Sequence, residues 1–257
     1  MDGLMFVLLL FGLLIIAALY ASVGHGGASG YLALLSMTTL ASMEDVWLKQ
    51  HAWCLNLVVA GIAFWHYHRE GYHVPRLTIP FIAASIPLAL LGGYLSIGGD
   101  VYDLLLSLTL LWAAWRLWGI STPESSDELE ILDVKTAAPL GGLIGLVSGV
   151  VGVGGGIFLT PILLLKRLAT PKQAAATSAM FIWVNSLAGL TGSIASGQML
   201  LELEMLAPFI CAVLLGGFVG SRYGAVAAPQ VVVRRLLVGV LLIAASKRIL
   251  EMSGVWI

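Results

Sequence analysis

Charged side chains are scarce in this chain. Asp, Glu, Lys and Arg together make up 11% of its 257 residues, whereas hydrophobic residues make up 59%. A soluble core could not hide that much apolar surface, so the composition predicts a multi-pass membrane protein. With a net charge of -1, and with its 13 Lys and Arg scattered along the chain, the sequence also offers no basic face for nucleic acid.

Cysteine, metal-binding and nucleotide-binding patterns are missing as well. Only two cysteines are present, both inside apolar runs, so they predict no disulfide framework. Three of the five histidines fall between residues 66 and 73 without the spacing of a zinc site. Neither glycine-rich segment is followed by Lys-Ser or Lys-Thr, which excludes a P-loop for ATP. We therefore expect no metal and no cofactor.

Long apolar runs are what the sequence has in abundance. About 20 apolar residues cross a bilayer as a helix, and several runs approach this length. The runs that flank two glycine-rich segments are short, which predicts half-length or barely spanning helices joined at a break in each case. The apolar runs cover residues 4–23, 29–41, 50–67, 77–97, 101–118, 137–151, 156–168, 173–196, 203–221 and 231–250.

The chain repeats itself over half its length. Gly-His-Gly-Gly at 24–27 aligns with Gly-Val-Gly-Gly at 152–155, and Asn56 aligns with Asn185. One sustained polar stretch lies between the two copies. The predicted units are a first membrane repeat over residues 1–120, a cytoplasmic linker over 121–135 and a second membrane repeat over 136–257.

Basic residues in short loops predict the orientation. They cluster at 66–76 and 166–172, whereas the loops near Asp100 and Glu202 are acidic. The positive-inside rule places the basic loops and the linker in the cytoplasm, so the two broken segments enter from opposite sides. We predict an all-α polytopic protein of a bacterial inner membrane. It contains two inverted repeats, each a glycine-broken helical pair plus three transmembrane helices.

The duplicated breaks predict a binding site. Backbone that leaves a helix inside a membrane survives only where it is buried or lines a polar cavity, and paired breaks in two halves point to a midplane substrate site. Each break precedes a new helix, whose free N–H groups and positive dipole end favour an anion. Close helix packing through small residues is the alternative. The predicted substrate-binding glycines are Gly24, Gly26, Gly27, Gly152, Gly154, Gly155 and Gly156.

Polar residues near the breaks extend this predicted site. Lys49 and Asn56 are seven residues apart, as are Ser178 and Asn185, so each pair lies on one helix face. In one interpretation they line the anion pathway together with Thr177. In the other, the asparagines link helices and Lys49 reaches the membrane interface.

His25 is the unusual residue of the first break. It stands where the second copy has a valine. Three roles are open for it. Because imidazole titrates near neutral pH, it could carry a coupling proton; it could also donate a hydrogen bond to the anion, or bond a backbone carbonyl.

One stretch of the second half has a distinctive order. Gly-Val-Gly-Gly-Gly at 152–156 is followed by Ile-Phe-Leu-Thr-Pro at 157–161 and by Ala-Thr-Ser at 176–178, with weaker copies in the first half. On these motifs the chain resembles the sulfite exporter TauE/SafE family over nearly its whole length. The resemblance implies export of sulfite or a related sulfur-containing anion, such as an organosulfonate. We expect this small anion and the lipid bilayer as partners, and leave a homodimer open.

Two other functions stay open at this point. Gly-Ala-Ser-Gly at 27–30, with His51 on a later span, is similar to the serine and histidine of rhomboid intramembrane proteases. Such an enzyme needs the histidine within hydrogen-bond reach of the serine. A membrane assembly factor without transport activity is the other alternative. A duplicated and inverted arrangement is typical of transporters, whereas a protease has no need of it. We therefore expect no enzyme.

Overall fold

The computed structural model describes residues 2–95, 129–130 and 133–227, together with residues 104, 105, 107, 108, 111, 112, 115 and 242. Regular structure in this part of the chain is helical. The predicted spans at 231–250 and, for the most part, at 101–118 lie outside the described residues, as does most of the linker. The helices are α1 (Gly3–Ala21), α2 (Ala28–Leu35), α3 (Asp45–Arg69), α4 (Pro75–Tyr94), α5 (Val134–Val151), α6 (Gly156–Leu165), α7 (Pro171–Ala195) and α8 (Leu203–Val226), with a short 3-10 helix at Thr39–Ser42.

Local sequence signals explain several helix ends. At the start of α7 the Thr170 side chain accepts from the Gln173 N–H, and the Gln173 side chain accepts from the Thr170 N–H, which is a capping box. The Asp133 carboxylate accepts from the Lys135 N–H at 3.0 Å and so caps α5. At its other end α5 stops at Gly152, which takes a left-handed φ of 86°.

The helix after the first break is shorter than the sequence predicts. The apolar run 29–41 predicts a helix of that length, but α2 ends at Leu35. The Ser36 hydroxyl donates to the Ala33 carbonyl at 2.7 Å, and the Thr38 hydroxyl donates to the Leu35 carbonyl at 2.8 Å. Such local bonds compete with a further helical turn, so the chain leaves the α-helix here.

Each break joins a membrane-length helix to a half-length helix. Five described helices, α1, α4, α5, α7 and α8, are long and apolar enough to cross a membrane, which confirms the multi-pass prediction. By contrast α2 has 8 residues and α6 has 10. At 1.5 Å per residue they are roughly 12 and 15 Å long, about half of the hydrocarbon thickness.

The two halves of the chain interlock through glycine-lined helix contacts. The α4 helix packs along α5, and α1 packs along α8. Glycines at positions 141, 145 and 149 of α5 lie against carbonyl oxygens of α4. Glycines at 216 and 220 of α8 lie against carbonyl oxygens of α1, and Gly224 lies against the carbonyl of Ser22, the residue after α1. A Cβ at any of these positions would overlap the partner backbone. Small residues at every fourth position thus let the helix axes approach closely.

The α3 and α7 helices cross antiparallel in the centre of the bundle. Near the start of α3, the Gln50 side-chain amide donates to the Ser193 hydroxyl at 2.9 Å. Near the middle of α3, the Asn56 amide donates to the Ser186 hydroxyl at 3.1 Å. Residue numbers rise along α3 while they fall along α7. This central pair provides the surface that both breaks contact.

The loops predicted to share one side lie at one end of the bundle. Lys172 Nζ donates to the Tyr72 hydroxyl at 3.1 Å and to the Ala225 carbonyl at 2.6 Å. The Glu130 N–H, from the linker, donates to the Arg167 carbonyl at 3.0 Å. These contacts gather the loop after α3, the loop before α7 and the end of α8. The cytoplasmic location of this end, the inverted relation of the halves and the repeat boundaries stay predictions.

Candidate functional site

The two glycine breaks, residues 22–27 and 152–155, are buried segments of non-helical backbone. Several of their residues take left-handed φ angles, which glycine adopts without the steric penalty of a Cβ. The sequence therefore needs glycine in both breaks for the backbone path alone. The left-handed positions are Gly24 (φ 74°), Gly27 (φ 100°), Gly152 (φ 86°), Gly154 (φ 75°) and Gly155 (φ 82°).

The first break lies along α3 and contacts it from near its C-terminal end to its middle. The Tyr67 hydroxyl, close to the end of α3, donates to the Ser22 carbonyl at 2.9 Å. Asn56 Oδ1, near the middle of α3, accepts from the Ala28 N–H at 2.9 Å. Ala28 is the first residue of α2. The Asn56 side chain therefore caps the N-terminus of α2 from a neighbouring helix.

The second break approaches the same point from the other end of α3. Gly152 packs against Lys49, near the start of α3, and a Cβ on Gly152 would lie 2.8 Å from Lys49 Cγ. The Val153 carbonyl then accepts from Asn56 Nδ2 at 3.4 Å. The half-length helix α6 begins at Gly156. Both breaks thus reach one asparagine, each from its own end of α3.

One asparagine and one isoleucine separate the two breaks. A Cβ on Gly26 would overlap Asn56 Oδ1 and would lie 2.9 Å from Ile182 Cγ2. A Cβ on Gly154 would lie 2.7 Å from Asn56 Nδ2 and 2.8 Å from the same Ile182 methyl. Real Cβ atoms do not sit this close to neighbours, so alanine does not fit at either position without movement. The paired glycines let both backbones close on the α3–α7 contact.

The remaining predicted glycines contact the surrounding helices. Gly24 lies against the backbone of Ala175, at the start of α7, and Gly27 lies against the Tyr31 ring. On the second break, Gly155 lies against the Phe181 ring. The Ile182 side chain covers Gly156. Each break is thus packed closely enough that an added methyl group at these positions meets a neighbour.

Asn56 links the breaks and has no side-chain N–H donor left for an anion. Its Oδ1 accepts from Ala28, and its Nδ2 donates to Ser186 at 3.1 Å and to Val153 at 3.4 Å. It is fully buried. The contacts favour the linking role over the pathway role for this residue. The sequence prediction missed Ser186, because the seven-residue spacing selects Asn185, its neighbour along the chain.

Backbone N–H groups at the breaks are left without partners. Among the described residues, no hydrogen bond forms from the N–H of Gly26 or Gly27 in the first break, nor from that of Val153, Gly154 or Gly155 in the second. Buried backbone donors without partners are rare in folded proteins. Successive N–H groups in left-handed turns form concave sites that bind anions. The free donors thus lie where the sequence predicts anion contacts.

A chain of side-chain hydrogen bonds ties the first break to the second half. His25 Nδ1 lies 3.0 Å from the Val23 carbonyl, so Nδ1 carries a proton in this contact. In the neutral ring Nε2 then accepts from the Thr160 hydroxyl at 3.1 Å, and Thr160 Oγ1 lies 2.7 Å from Ser178 Oγ. Sequence reasoning missed the role of Thr160. The available signal was its position one turn after Gly156 in an otherwise apolar helix.

Lys49 and Thr177 occupy different surroundings. Lys49 is 2% exposed and lies beside the second break, which is not the position of a lysine that reaches the membrane interface. Thr177 is buried and accepts from the Thr78 hydroxyl of α4 at 3.2 Å. The structure thus brings Lys49 and Ser178 to the breaks but directs Thr177 toward α4.

Asn185 contrasts with its counterpart Asn56. Its side chain is fully buried, and both its Oδ1 and its Nδ2 lack a hydrogen-bond partner in the described part of the protein. It lies one turn beyond Ile182 along α7, so it is close to the point where the breaks meet. Leaving a buried amide unpaired costs about 1–3 kcal/mol. An unbonded carboxamide at this depth is a candidate ligand-binding group.

The serine and histidine of the protease alternative have other partners. The Ser29 hydroxyl lies 2.8 Å from the Tyr20 hydroxyl. His51 Nδ1 donates to the Trp47 carbonyl at 2.8 Å, and its Nε2 accepts from the Glu202 N–H at 3.4 Å. Neither residue bonds the other, so His51 does not act as a base toward Ser29 here. Among the described residues, no group of three potential metal ligands comes together.

Known proteins with similar sequences agree with this architecture. The family model described as "Sulfite exporter TauE/SafE" matches residues 8–248. A probable membrane transporter protein, y4hK from Sinorhizobium fredii, is 33% identical over 216 residues, which cover 82% of this chain and 84% of that relative. No solved structure matches the chain significantly. The chain therefore belongs to the TauE/SafE family of multi-pass membrane transporters and is a transporter, not an enzyme.

Proposed function

We propose that this protein exports sulfite or a small organosulfonate by alternating access at a midplane site between the two glycine breaks. The observation that carries this proposal is the meeting of both breaks at Asn56 and Ile182. Five backbone N–H groups of the breaks have no partner among the residues that the structure describes. The family description supports a sulfur-containing anion. Approach of the breaks from opposite ends of α3 is the geometry that two inverted repeats predict.

The chemistry of the breaks suits a small oxyanion. Sulfite and sulfonates present three oxygens around one sulfur, and each oxygen accepts hydrogen bonds. Backbone N–H groups of Gly154 and Gly155, with the N-terminus of α6 behind them, supply fixed donors and partial positive charge. The Asn185 amide adds a side-chain donor. No full positive charge is needed among these groups, which favours reversible binding over tight capture.

The second break offers more hydrogen-bond donors to an anion than the first break does. Asn56 Oδ1 already accepts from the Ala28 N–H, the first N–H group of the helix that follows the first break. Val153, Gly154 and Gly155 retain their N–H groups. We expect the anion to contact chiefly these second-break donors, while the first break forms the opposing wall.

Flux measurements on purified protein in liposomes test the substrate assignment. Vesicles are loaded with sulfite, sulfoacetate, taurine, sulfate or chloride, and efflux is compared with protein-free vesicles. We expect efflux of sulfite or sulfoacetate above background, and none of chloride. Taurine is the comparison for sulfoacetate, because it keeps the sulfonate group but carries an ammonium group in place of the carboxylate. Equal efflux of chloride and sulfite, or no efflux of any sulfur anion, would contradict the proposal.

We expect His25 to couple transport to protons. Its Nε2 accepts from Thr160, and a proton on that nitrogen would force the Thr160–Ser178 pair to reverse its hydrogen-bond direction. Replacing His25 by Gln removes titration at this position, so the pH dependence of flux should flatten. Thr160→Val is the control, since it breaks the chain but keeps the imidazole. An unchanged pH profile in His25→Gln would exclude this role.

A further inference from the structure

A cavity opens between the C-terminal ends of α3 and α8. It has a volume of about 440 Å³ and is distant along both helices from the point where the breaks meet. It lies at the end of the bundle that carries the loop after α3. The proposed transport mechanism does not use it. Its lining includes Trp65, His66, Arg69, Glu70, Phe218 and Arg222.

Two matched pairs of residues form the walls of this cavity. Trp65 and Arg69 are four residues apart on α3, and Phe218 and Arg222 are four apart on α8. Residues with this spacing lie one above the other on a helix face. Each helix therefore presents an aromatic ring toward the membrane interior and an arginine one turn closer to the end of the bundle.

The aromatic wall faces outward. Trp65 is 49% exposed and Phe218 is 42% exposed, in a protein whose outer surface contacts lipid tails. The His66 ring lies between them, with centroid distances of 4.7 Å to Trp65 and 5.1 Å to Phe218. The cavity is therefore continuous with the surface that acyl chains cover. A ligand seated here can be polar at one end and apolar at the other.

Within the described part of the chain, the two arginines of this cavity have no ion-pair partner. Neither Arg69 nor Arg222 forms an ion pair or hydrogen bond with any described residue, although the Arg69 guanidinium lies 5.6 Å above the Trp65 ring. Glu70 also lines the cavity but pairs with neither arginine in the described structure. The carbonyl end of α3 stabilises Arg69 through the helix dipole without providing a full counter-charge. The cavity thus retains a net positive charge.

His66 contributes a free ring nitrogen to the same cavity. The Ser221 hydroxyl donates to the Gly217 carbonyl at 2.6 Å, so it accepts from His66 Nδ1 at 2.8 Å. Nδ1 therefore carries the proton and Nε2 is left without a partner in the described structure. The ring orientation is fixed from behind by α8.

We propose that this cavity binds the headgroup phosphate of an anionic phospholipid. The two arginines contact the phosphate as paired donors, and the acyl chains lie along Trp65 and Phe218. A free phosphate shares the headgroup chemistry. The exposed aromatic wall favours the lipid, because a soluble anion has no use for an apolar surface next to its site.

Lipid titration of detergent-purified, delipidated protein tests this proposal. Dioleoyl-phosphatidylglycerol is compared with dioleoyl-phosphatidylcholine, and binding is measured by native mass spectrometry and by the shift in melting temperature. We expect preferential binding and stabilisation by phosphatidylglycerol. The double variant Arg69→Gln, Arg222→Gln should bind it about 30-fold more weakly, at about 1 kcal/mol for each arginine. Arg76→Gln, an exposed arginine outside the cavity, is the matched control and should keep the parent affinity.

Three results would overturn the lipid site. The first is equal binding of both lipids by the parent protein. The second is undiminished phosphatidylglycerol preference in the double variant, and the third is equal stabilisation by millimolar inorganic phosphate, which would identify a soluble-anion site. If the double variant aggregates, the single variants Arg69→Gln and Arg222→Gln replace it, and each should lose about fivefold in affinity. Failure of sulfite flux would leave these outcomes unaffected.

Discussion

The two breaks share their glycines but differ in how their backbone groups are satisfied. In the first break, the Tyr31 hydroxyl donates to the Gly26 carbonyl at 2.8 Å, and two further carbonyls accept from side chains. In the second break, the Val153 carbonyl receives a long contact of 3.4 Å from Asn56, and three consecutive N–H groups form no hydrogen bond to any described residue. The position that aligns with Tyr31 is Leu159, which has no hydroxyl.

The two breaks therefore share a backbone shape while their polar surroundings differ. Asn56 makes three hydrogen bonds and Asn185 makes none in the described structure. Because an unbonded buried amide costs stability, the unpaired side chain of Asn185 points to a role in binding. We infer that the first break is the framework of the site and that the second break carries most of the ligand contacts. The predictions below test this division.

The largest effect is expected from a methyl group at the meeting point. Gly154→Ala places a Cβ against Asn56 and Ile182 on a residue with φ 75°. A left-handed alanine costs about 1–2 kcal/mol and overpacking costs about 1–3 kcal/mol, so a loss of about 2–5 kcal/mol in unfolding free energy is expected. Thermal unfolding in detergent measures it. Gly3→Ala, which has no neighbour within 4 Å, is the control. Parent-like stability and flux in Gly154→Ala would show that the breaks do not meet tightly.

Asn56→Leu should be the next most damaging change. It leaves the Ala28 N–H, the Val153 carbonyl and the Ser186 hydroxyl without their partner. At about 1 kcal/mol for each lost bond, a destabilisation of about 3 kcal/mol is expected. The same unfolding assay measures it, with purified protein free of substrate. If Asn56→Leu is as stable as the parent, Asn56 is not the link between the breaks.

Asn185→Leu, unlike Asn56→Leu, should not destabilise the protein. No described partner is lost, and an unpaired buried amide is replaced by an apolar group of similar size. We expect unchanged or raised stability, but an affinity for the transported anion weaker by about 1.5–3 kcal/mol, the value of a hydrogen bond to a charged group. Equilibrium binding with the anion identified in the flux screen measures it. Loss of stability with intact affinity would reverse the roles assigned to the two asparagines.

The smallest effect is expected from removal of the Tyr31 hydroxyl, which has no counterpart at the aligned Leu159. Tyr31→Phe removes the bond to the Gly26 carbonyl and leaves the ring in place. A loss of about 1 kcal/mol in unfolding free energy is expected, with unchanged anion affinity. The experiment pairs unfolding with binding on the same preparation. A large fall in affinity would mean that the first break contacts the anion directly.

Much of the backbone design could be predicted from the repeated glycines. Left-handed angles at Gly24 and Gly152 follow from the residue type, and the meeting of the breaks follows from their duplication inside apolar sequence. The seven-residue spacing correctly placed Asn56 on the face that meets the breaks. These inferences succeeded because they depend on local geometry and on the bilayer as solvent.

The individual side-chain partners could not be predicted in the same way. Thr177 and Ser178 are adjacent, yet one bonds α4 and the other bonds Thr160. Asn56 and Asn185 align in the sequence, yet Asn56 donates both of its amide hydrogens, whereas Asn185 has no hydrogen-bond partner among the described residues. These differences arise from contacts between helices that are distant in sequence. A repeat pattern carries no information on how those helices rotate against each other.

The glycine-lined contacts between the halves also constrain the order in which the protein can be completed. The helix synthesised first, α1, has its close-packing partner in α8, which leaves the ribosome far later. The α4 helix likewise waits for α5. Until then the nascent chain has grooves on α1 and α4 that only helices of the second half can fill. Asn56 also has no access to Ser186 or Val153 before the second half is made. Synthesis of the second half is therefore the step that converts a row of inserted helices into a folded carrier.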